Sequence, residues 1–139
     1  MQLRKQKKLY SVFCYGTLEF ASVMKKITGS DCAKEPATLI DYARYLVKDA
    51  PYPGIVYEPG AVTEGSLFRN VNAKQLECMD EYEGSLYERI ESEVLTKQGE
   101  LIVADIYIVP LTRKHHLSKL QWNKDEFERL YMSNFFKIL

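Results

Sequence analysis

No window of the chain approaches the run of about 20 apolar residues that crosses a bilayer, which excludes a membrane-spanning helix. Cysteine is scarce. Cys14, Cys32 and Cys78 are odd in number and form no CxxC pair, which argues against a disulfide framework and for a reducing cytoplasm. Neither sign of charge is in excess: 19 Lys and Arg face 19 Asp and Glu, for a formal net charge of zero. Nothing global therefore favours nucleic acid or an acidic membrane as partner. Repeats, low-complexity tracts and Gly/Ser linkers are also missing, so residues 1–139 read as one domain, long enough for a single continuous core. Arg4, Lys5, Lys7 and Lys8 make the first eight residues basic. The run behind them is broken by Tyr10, Ser11 and Tyr15, unlike a signal peptide, so residues 1–8 read as a flexible basic arm.

What is present is ordinary for a soluble globular protein, 46% hydrophobic and 27% charged. The apolar run 9–14 predicts a strand that breaks at Gly16 and turns into a short helix marked by Val23, Met24 and Ile27, with Gly29 placed to end it. Residues 36–47 read as one strand, though part of the segment is compatible with a helix. Pro51-Tyr52-Pro53-Gly54 predicts a constrained loop and Glu58-Pro59-Gly60 a turn, followed by a strand over 62–68. Asn72 and Gln75 have the form of a capping box opening a helix that Gly84 stops. Strands 87–95 and 101–109 form a hairpin around Lys97-Gln98-Gly99. In the second, Ile102, Ala104, Ile106 and Ile108 share one face, and Val103, Asp105, Tyr107 and Val109 the other. Asn123 and Glu126 predict a last helix whose stripe of Phe127, Leu130, Tyr131, Asn134, Phe135 and Ile138 docks on the core or, alternatively, on a second copy. This order suggests an α+β fold, a curved sheet or small barrel with helices.

Two elements carry candidate chemistry. A strand broken at Tyr15-Gly16-Thr17-Leu18 leaves backbone N–H groups free to hold an anion, with Gly16 allowing close approach and backbone freedom. Glu83 stands at the negative end of a helix beside other carboxylates, both of which make its proton harder to remove. Asp80, Glu81 and Glu88 compete with it as ordinary solvated acids. Cys14 with His115 or His116 is a poor nucleophile–base pair, since the thiol lies in an apolar strand and the histidines in a polar stretch. The histidines also lack a third ligand at metal-binding spacing. Among ten tyrosines, Tyr52, Tyr87 and Tyr107 are candidates, with Tyr15, to present hydroxyls in a shared cavity.

Read in order, Val12-Phe13-Cys14-Tyr15-Gly16-Thr17-Leu18, Tyr52-Pro53-Gly54-Ile55, Val62-Thr63-Glu64-Gly65-Ser66-Leu67, Met79-Asp80-Glu81-Tyr82-Glu83-Gly84 and Tyr87-Glu88-Arg89 resemble the γ-glutamylcyclotransferase-like superfamily. The resemblance is strongest to the branch of plant avirulence-induced-gene proteins and their microbial relatives. Ala104-Asp105-Ile106-Tyr107 and the tail from Trp122 to Phe127 fit that branch too. The resemblance implies a small mixed β-barrel flanked by helices with a cavity at one end, residues 15–18 as substrate-binding, and Glu83 as catalytic acid/base. Met79-Asp80 replaces the usual Leu-Asp, a volume-conserving change. Glu19-Phe20-Ala21 replaces a basic residue and a glycine, which is expected to alter the cavity rim.

The implied activity is cyclisation of a γ-glutamyl amide to 5-oxoproline with release of an amine. The substrate's own α-amine is the nucleophile, so the reaction calls for no metal, cofactor or enzyme nucleophile. The expected partner is a small γ-glutamyl compound, with no nucleic acid or membrane involved. Two alternatives remain open: a non-catalytic module binding a small acidic metabolite in the same cavity, and removal of a γ-glutamyl protecting group.

Overall fold

A computed structural model describes residues 8–139. Strand β1 (Leu9–Cys14) is followed by a single 3-10 turn (Thr17–Glu19) and helix α1 (Ala21–Thr28). Next come β2 (Lys34–Leu46), β3 (Pro53–Asn72), α2 (Ala73–Glu83), β4 (Glu88–Thr96) and β5 (Leu101–Ile108). A second 3-10 turn (Leu111–His116) leads to α3 (Lys124–Leu130) and α4 (Met132–Lys137). The strands close into a barrel in the order β1-β3-β2-β4-β5. All pairings are antiparallel except β1 with β5, where Val12 and Phe13 lie beside Asp105 and Ile106.

Period-two alternation divides each strand between two cores. Phe13, Ala37, Leu39, Ile55, Leu67, Val94, Ala104 and Ile106 come from all five strands and fill the barrel. Their neighbours Val12, Cys14, Phe68 and Tyr107 point the other way. They join Val23, Met24, Leu76, Met79 and Phe127 from the helices in a second core on the outside of the sheet. Burying apolar area on both faces, at roughly 25 cal/mol per Å², is what a short barrel needs to hold its helices.

Three sequence expectations change. The loop at 51–54 and the turn at 58–60 are largely absorbed into β3, which begins at Pro53 and runs through Pro59. The reason is a bulge: Gly60 (φ 85°) faces Asp41 (φ 70°), whose Oδ1 accepts the Gly60 N–H at 2.9 Å, and the register slips between Ile40 and Tyr42. Turn-forming residues thus bend a continuous strand instead of ending it. The segment 36–47 is strand with no helical part, running from Lys34 to Leu46, and Val47 forms an isolated bridge to Leu117. The last helix is broken at Tyr131 (φ −122°, ψ −24°) into α3 and α4. Asn123 accepts the Glu126 N–H at 2.8 Å, but the reciprocal half of that box is not formed. Phe127 is buried, whereas Leu130, Tyr131 and Ile138 are exposed, so only part of the stripe docks. Of the basic arm, only Lys8 is among the described residues, its Nζ 4.9 Å above the Tyr10 ring.

Candidate active site

Helix α2 is bounded at both ends by local chemistry. Asn72 and Gln75 exchange side-chain and backbone hydrogen bonds at 2.8 and 2.9 Å, and Gly84 (φ 78°) returns its N–H to the Asp80 carbonyl at 3.1 Å. Leu76 and Met79 anchor one side of the helix in the outer core. That anchoring leaves Glu83, the last helical residue, facing a cavity of about 310 Å³, large enough for a small metabolite.

The loop after β1 forms another wall. Glu19 N–H donates to the Gly16 carbonyl and Phe20 N–H to the Thr17 carbonyl, at 3.0 and 3.2 Å. Among the described residues, the N–H groups of Gly16, Thr17 and Leu18 donate to no backbone acceptor. The Thr17 and Tyr82 hydroxyls share a hydrogen bond of 2.7 Å, tying the loop to α2. Tyr15, Gly16, Thr17, Leu18, Tyr52, Glu83, Tyr87 and Tyr107 all line this one cavity.

The electrostatics of the wall favour neutral forms. Burial, then the nearby Asp80 charge, push the Glu83 carboxyl up to about 8. Its surface is only partly covered because it opens onto the cavity, while protein surrounds it on its other sides. Burial also raises Tyr15, Tyr82, Tyr87 and Tyr107, with Glu83 as a further contributor to each. These phenols are therefore hydrogen-bonding groups, not bases. Three of their protons are committed: Tyr15 to the Tyr107 carbonyl at 2.6 Å, Tyr87 to the Pro53 carbonyl at 2.7 Å, and Tyr107 to Asp80 Oδ1 at 2.6 Å. Arg89 holds Asp80 from the other side, at 2.8 and 3.2 Å, and reaches Asp105 at 3.1 Å.

Cys14 lines the cavity, but burial, then Glu83, push its thiol well up, so it has no nucleophilic form at neutral pH. His115 and His116 sit together on the exposed second 3-10 turn and do not line the cavity. Two expectations about the loop are corrected. Gly16 has φ −134°, outside the left-handed region, and what crowds it is the Pro53 ring, 2.9 Å from where a Cβ would stand. Glu19 does not alter the cavity rim. It is buried behind the loop, where Ser66 donates to its carboxylate at 3.0 Å and Lys34 to its backbone carbonyl. Burial raises its carboxyl despite the opposing charges of Lys124, Arg44 and Lys34.

The sequence reading missed the contributions of Tyr82, Pro53, Leu86, Phe135, Ile138 and Leu139 to the cavity. Tyr82 was signalled only by adjacency to Glu83. The three C-terminal residues come from helix α4 and the chain that follows it, so their apolar character pointed to core.

Residues 12–124 match the family model described as gamma-glutamyl cyclotransferase, AIG2-like. The chain belongs to this family. It is 26% identical over 132 residues to AIG2-like protein D of Arabidopsis thaliana, covering 94% of this chain and 86% of that protein. To Protein AIG2 C of the same plant it is 31% identical over 100 residues, covering 71% and 61%. Among solved structures, a solution structure from Arabidopsis thaliana matches with TM-score 0.74 and 24% identity over 99% of this chain and 83% of that one. A structure named gamma-glutamyl cyclotransferase matches with TM-score 0.66 and 23% identity over 73% and 67%. Both structures share the fold of this gamma-glutamyl cyclotransferase-like chain.

Proposed function

We propose that this protein cyclises a γ-glutamyl amide to 5-oxoproline and a free amine, with Glu83 as general acid/base. The observation that supports this most is a carboxyl held up to about 8 in the same cavity as a loop with free backbone N–H groups. The N–H groups of Gly16, Thr17 and Leu18 suit the substrate α-carboxylate. Ionised Glu83 takes a proton from the α-ammonium, and the freed amine nitrogen attacks the γ-carbonyl carbon. As the ring C–N bond forms and the old one breaks, the proton passes from Glu83 to the departing amine nitrogen. The ring nitrogen's second proton, shed as its new C–N bond is completed, passes through the same carboxylate to the released amine, which departs as an ammonium, so atoms and charge balance without water. Each proton transfer is worth roughly 10²–10⁴-fold, and holding the chain in its cyclising conformer adds to that. Family membership supports the reaction type. The free state of all three cysteines supports a reducing cytoplasm as the working compartment.

The test is 5-oxoproline release from a panel of γ-glutamyl amines and dipeptides, glutathione included, by the wild type and by Glu83→Gln. Release by the wild type and a loss of at least about a hundredfold in the variant are expected. If γ-glutamyl compounds bind but none is turned over, the protein is a binding module and the catalytic assignment falls.

A further inference from the structure

We propose that Arg44 aims and polarises the Gly16 N–H, and so acts as a positioning residue for the loop that takes the substrate α-carboxylate. The inference rests on the proposed role of that loop.

Its basis is where the charge of Arg44 goes. The side chain is half-buried, yet among the described residues no carboxylate forms an ion pair with it. Its Nη1 instead donates to two main-chain carbonyls, Tyr15 at 2.8 Å and Glu64 at 3.2 Å. These carbonyls lie just past Cys14 and Ser66, the last pair of the β1–β3 ladder. The guanidinium thus closes the ladder where β1 leaves β3, and a side chain supplies the donors that a backbone partner would. Arginine keeps its charge at any working pH, and a charged donor makes a stronger hydrogen bond than a neutral one.

The Tyr15 carbonyl and the Gly16 N–H belong to one trans peptide group, so they point in opposite directions. Arg44 does not line the Glu83 cavity but a second, polar one of about 220 Å³. Fixing the carbonyl toward Arg44 therefore turns the Gly16 N–H toward the Glu83 cavity, which Gly16 lines. Hydrogen bonds in series reinforce one another, so a cation on the carbonyl makes the N–H behind it a better donor. The next two N–H groups are backed by neutral donors, since the Gly16 and Thr17 carbonyls accept from Glu19 and Phe20 N–H. Gly16 is thereby the strongest donor of the three. The clamp is itself held: the guanidinium carbon lies 5.5 Å from the centre of the Trp122 ring, whose Nε1 donates to the Pro51 carbonyl at 2.8 Å.

The test uses the full chain carrying Glu83→Gln, which blocks turnover, with Arg44→Met or Arg44→Ala added. Methionine keeps an apolar stem over the Trp122 ring, and alanine opens space beside the second cavity. Without ligand, Arg44→Met should move the Gly16 amide proton upfield in NMR spectra and leave those of Thr17 and Leu18 nearly in place. The binding probes are γ-glutamylethylamide and the same compound with its α-carboxylate amidated. Calorimetry on the Glu83→Gln parent should favour the free carboxylate by at least about tenfold, and both Arg44 variants should erase most of that preference. Guanidinium ion, too dilute to unfold the protein, should restore it to Arg44→Ala, whereas sodium chloride of equal strength should not. Either an unmoved Gly16 proton or an unmoved preference would overturn the inference while leaving the loop as the α-carboxylate site. An equal loss of affinity for both probes would overturn it too, because a merely structural clamp acts in that way. If the parent itself shows no preference, the α-carboxylate reading fails and the inference falls with it.

Discussion

Tyr107 donates its hydroxyl proton to Asp80 Oδ1 at 2.6 Å, and Asp80 precedes Glu83 by three residues, placing it on the same side of helix α2. Arg89 closes the arrangement by donating to both Asp80 oxygens. Asp80 is thereby fixed beside Glu83, where its negative charge works together with burial to keep the Glu83 proton on. The acidity of the proposed catalytic group is thus set partly by a neighbour that does not line the cavity.

Asp80→Asn should therefore lower the pH at which Glu83 ionises. The asparagine oxygen can still accept from Tyr107 and from Arg89 Nε, while the bond from Arg89 Nη2 to the second oxygen is lost together with the charge. Carbon-detected NMR titration of the Glu83 carboxyl reads this without reference to activity. The midpoint is expected to fall from about 8 yet stay above the ordinary carboxylate range, because burial is the larger cause and is untouched. An unmoved midpoint would mean that the Asp80 charge is screened from Glu83.

The same raised carboxyl gives a sign for stability. An unfolded glutamate ionises near the ordinary value of 4.5, while Glu83 in the folded chain holds its proton to about 8. Between those values the folded state binds the extra proton, so this contribution to stability is complete below pH 4.5 and is lost as pH rises through 8. Glu83→Gln removes the titration. The variant should be no more stable than wild type at pH 4.5 and more stable by about 2–4 kcal/mol at pH 8.5, a range below full burial because the carboxyl opens onto the cavity. Urea melts at the two pH values measure the difference. A constant difference between them would contradict the assignment of the raised proton affinity to Glu83.

Much of the site was legible in the sequence because short-range chemistry marks it. The Asn72–Gln75 box and Gly84 define α2 from its own residues, and they place Glu83 at its end. Gly16 likewise marks the end of β1. The γ-glutamylcyclotransferase-like resemblance added that these two ends face one cavity, which pattern alone does not state. What stayed hidden depends on partners far along the chain. Pro59-Gly60 signals a turn until Asp41 supplies the acceptor that keeps β3 continuous. Glu19 reads as a rim residue until Ser66, 47 residues on, is seen beside it. Phe135 and Ile138 have the spacing of a docking face, and a cavity wall has the same periodicity as a core.

Glycine positions separate two kinds of crowding. A Cβ at Gly16 would meet the Pro53 ring at 2.9 Å, which can pucker aside, whereas at Gly65 it would meet the Cys14 backbone carbonyl and the Phe13 ring at 2.7 Å. The carbonyl belongs to the β1–β3 ladder and cannot move without breaking it. Gly16→Ala should cost about 1–3 kcal/mol, and Gly65→Ala more than that, with failure to fold as one expected outcome. Equal costs in denaturant titration would show that the ladder yields as easily as a ring.

The last prediction concerns the bond that joins the two walls. Thr17 on the loop and Tyr82 on α2 share a hydrogen bond of 2.7 Å in a partly buried setting, and they stand next to Gly16 and Glu83 respectively. Thr17→Ser keeps the hydroxyl and should leave stability and substrate affinity nearly unchanged. Thr17→Val keeps the volume but leaves the Tyr82 hydroxyl without this partner, costing about 1–3 kcal/mol. Tyr82→Phe removes the other end at similar or smaller cost. Because both changes break the same bond, the double variant should be more stable than the sum predicts, by about 0.5–1.5 kcal/mol. Loosening the loop relative to Glu83 should also lower kcat more than it raises KM, since the proposed contact to the substrate α-carboxylate needs only the loop N–H groups while the proposed proton transfer needs both walls in register. Additive stabilities together with an unchanged kcat would show that the two walls hold their positions independently, and the bond would then be a surface ornament of the cavity with no part in setting its geometry.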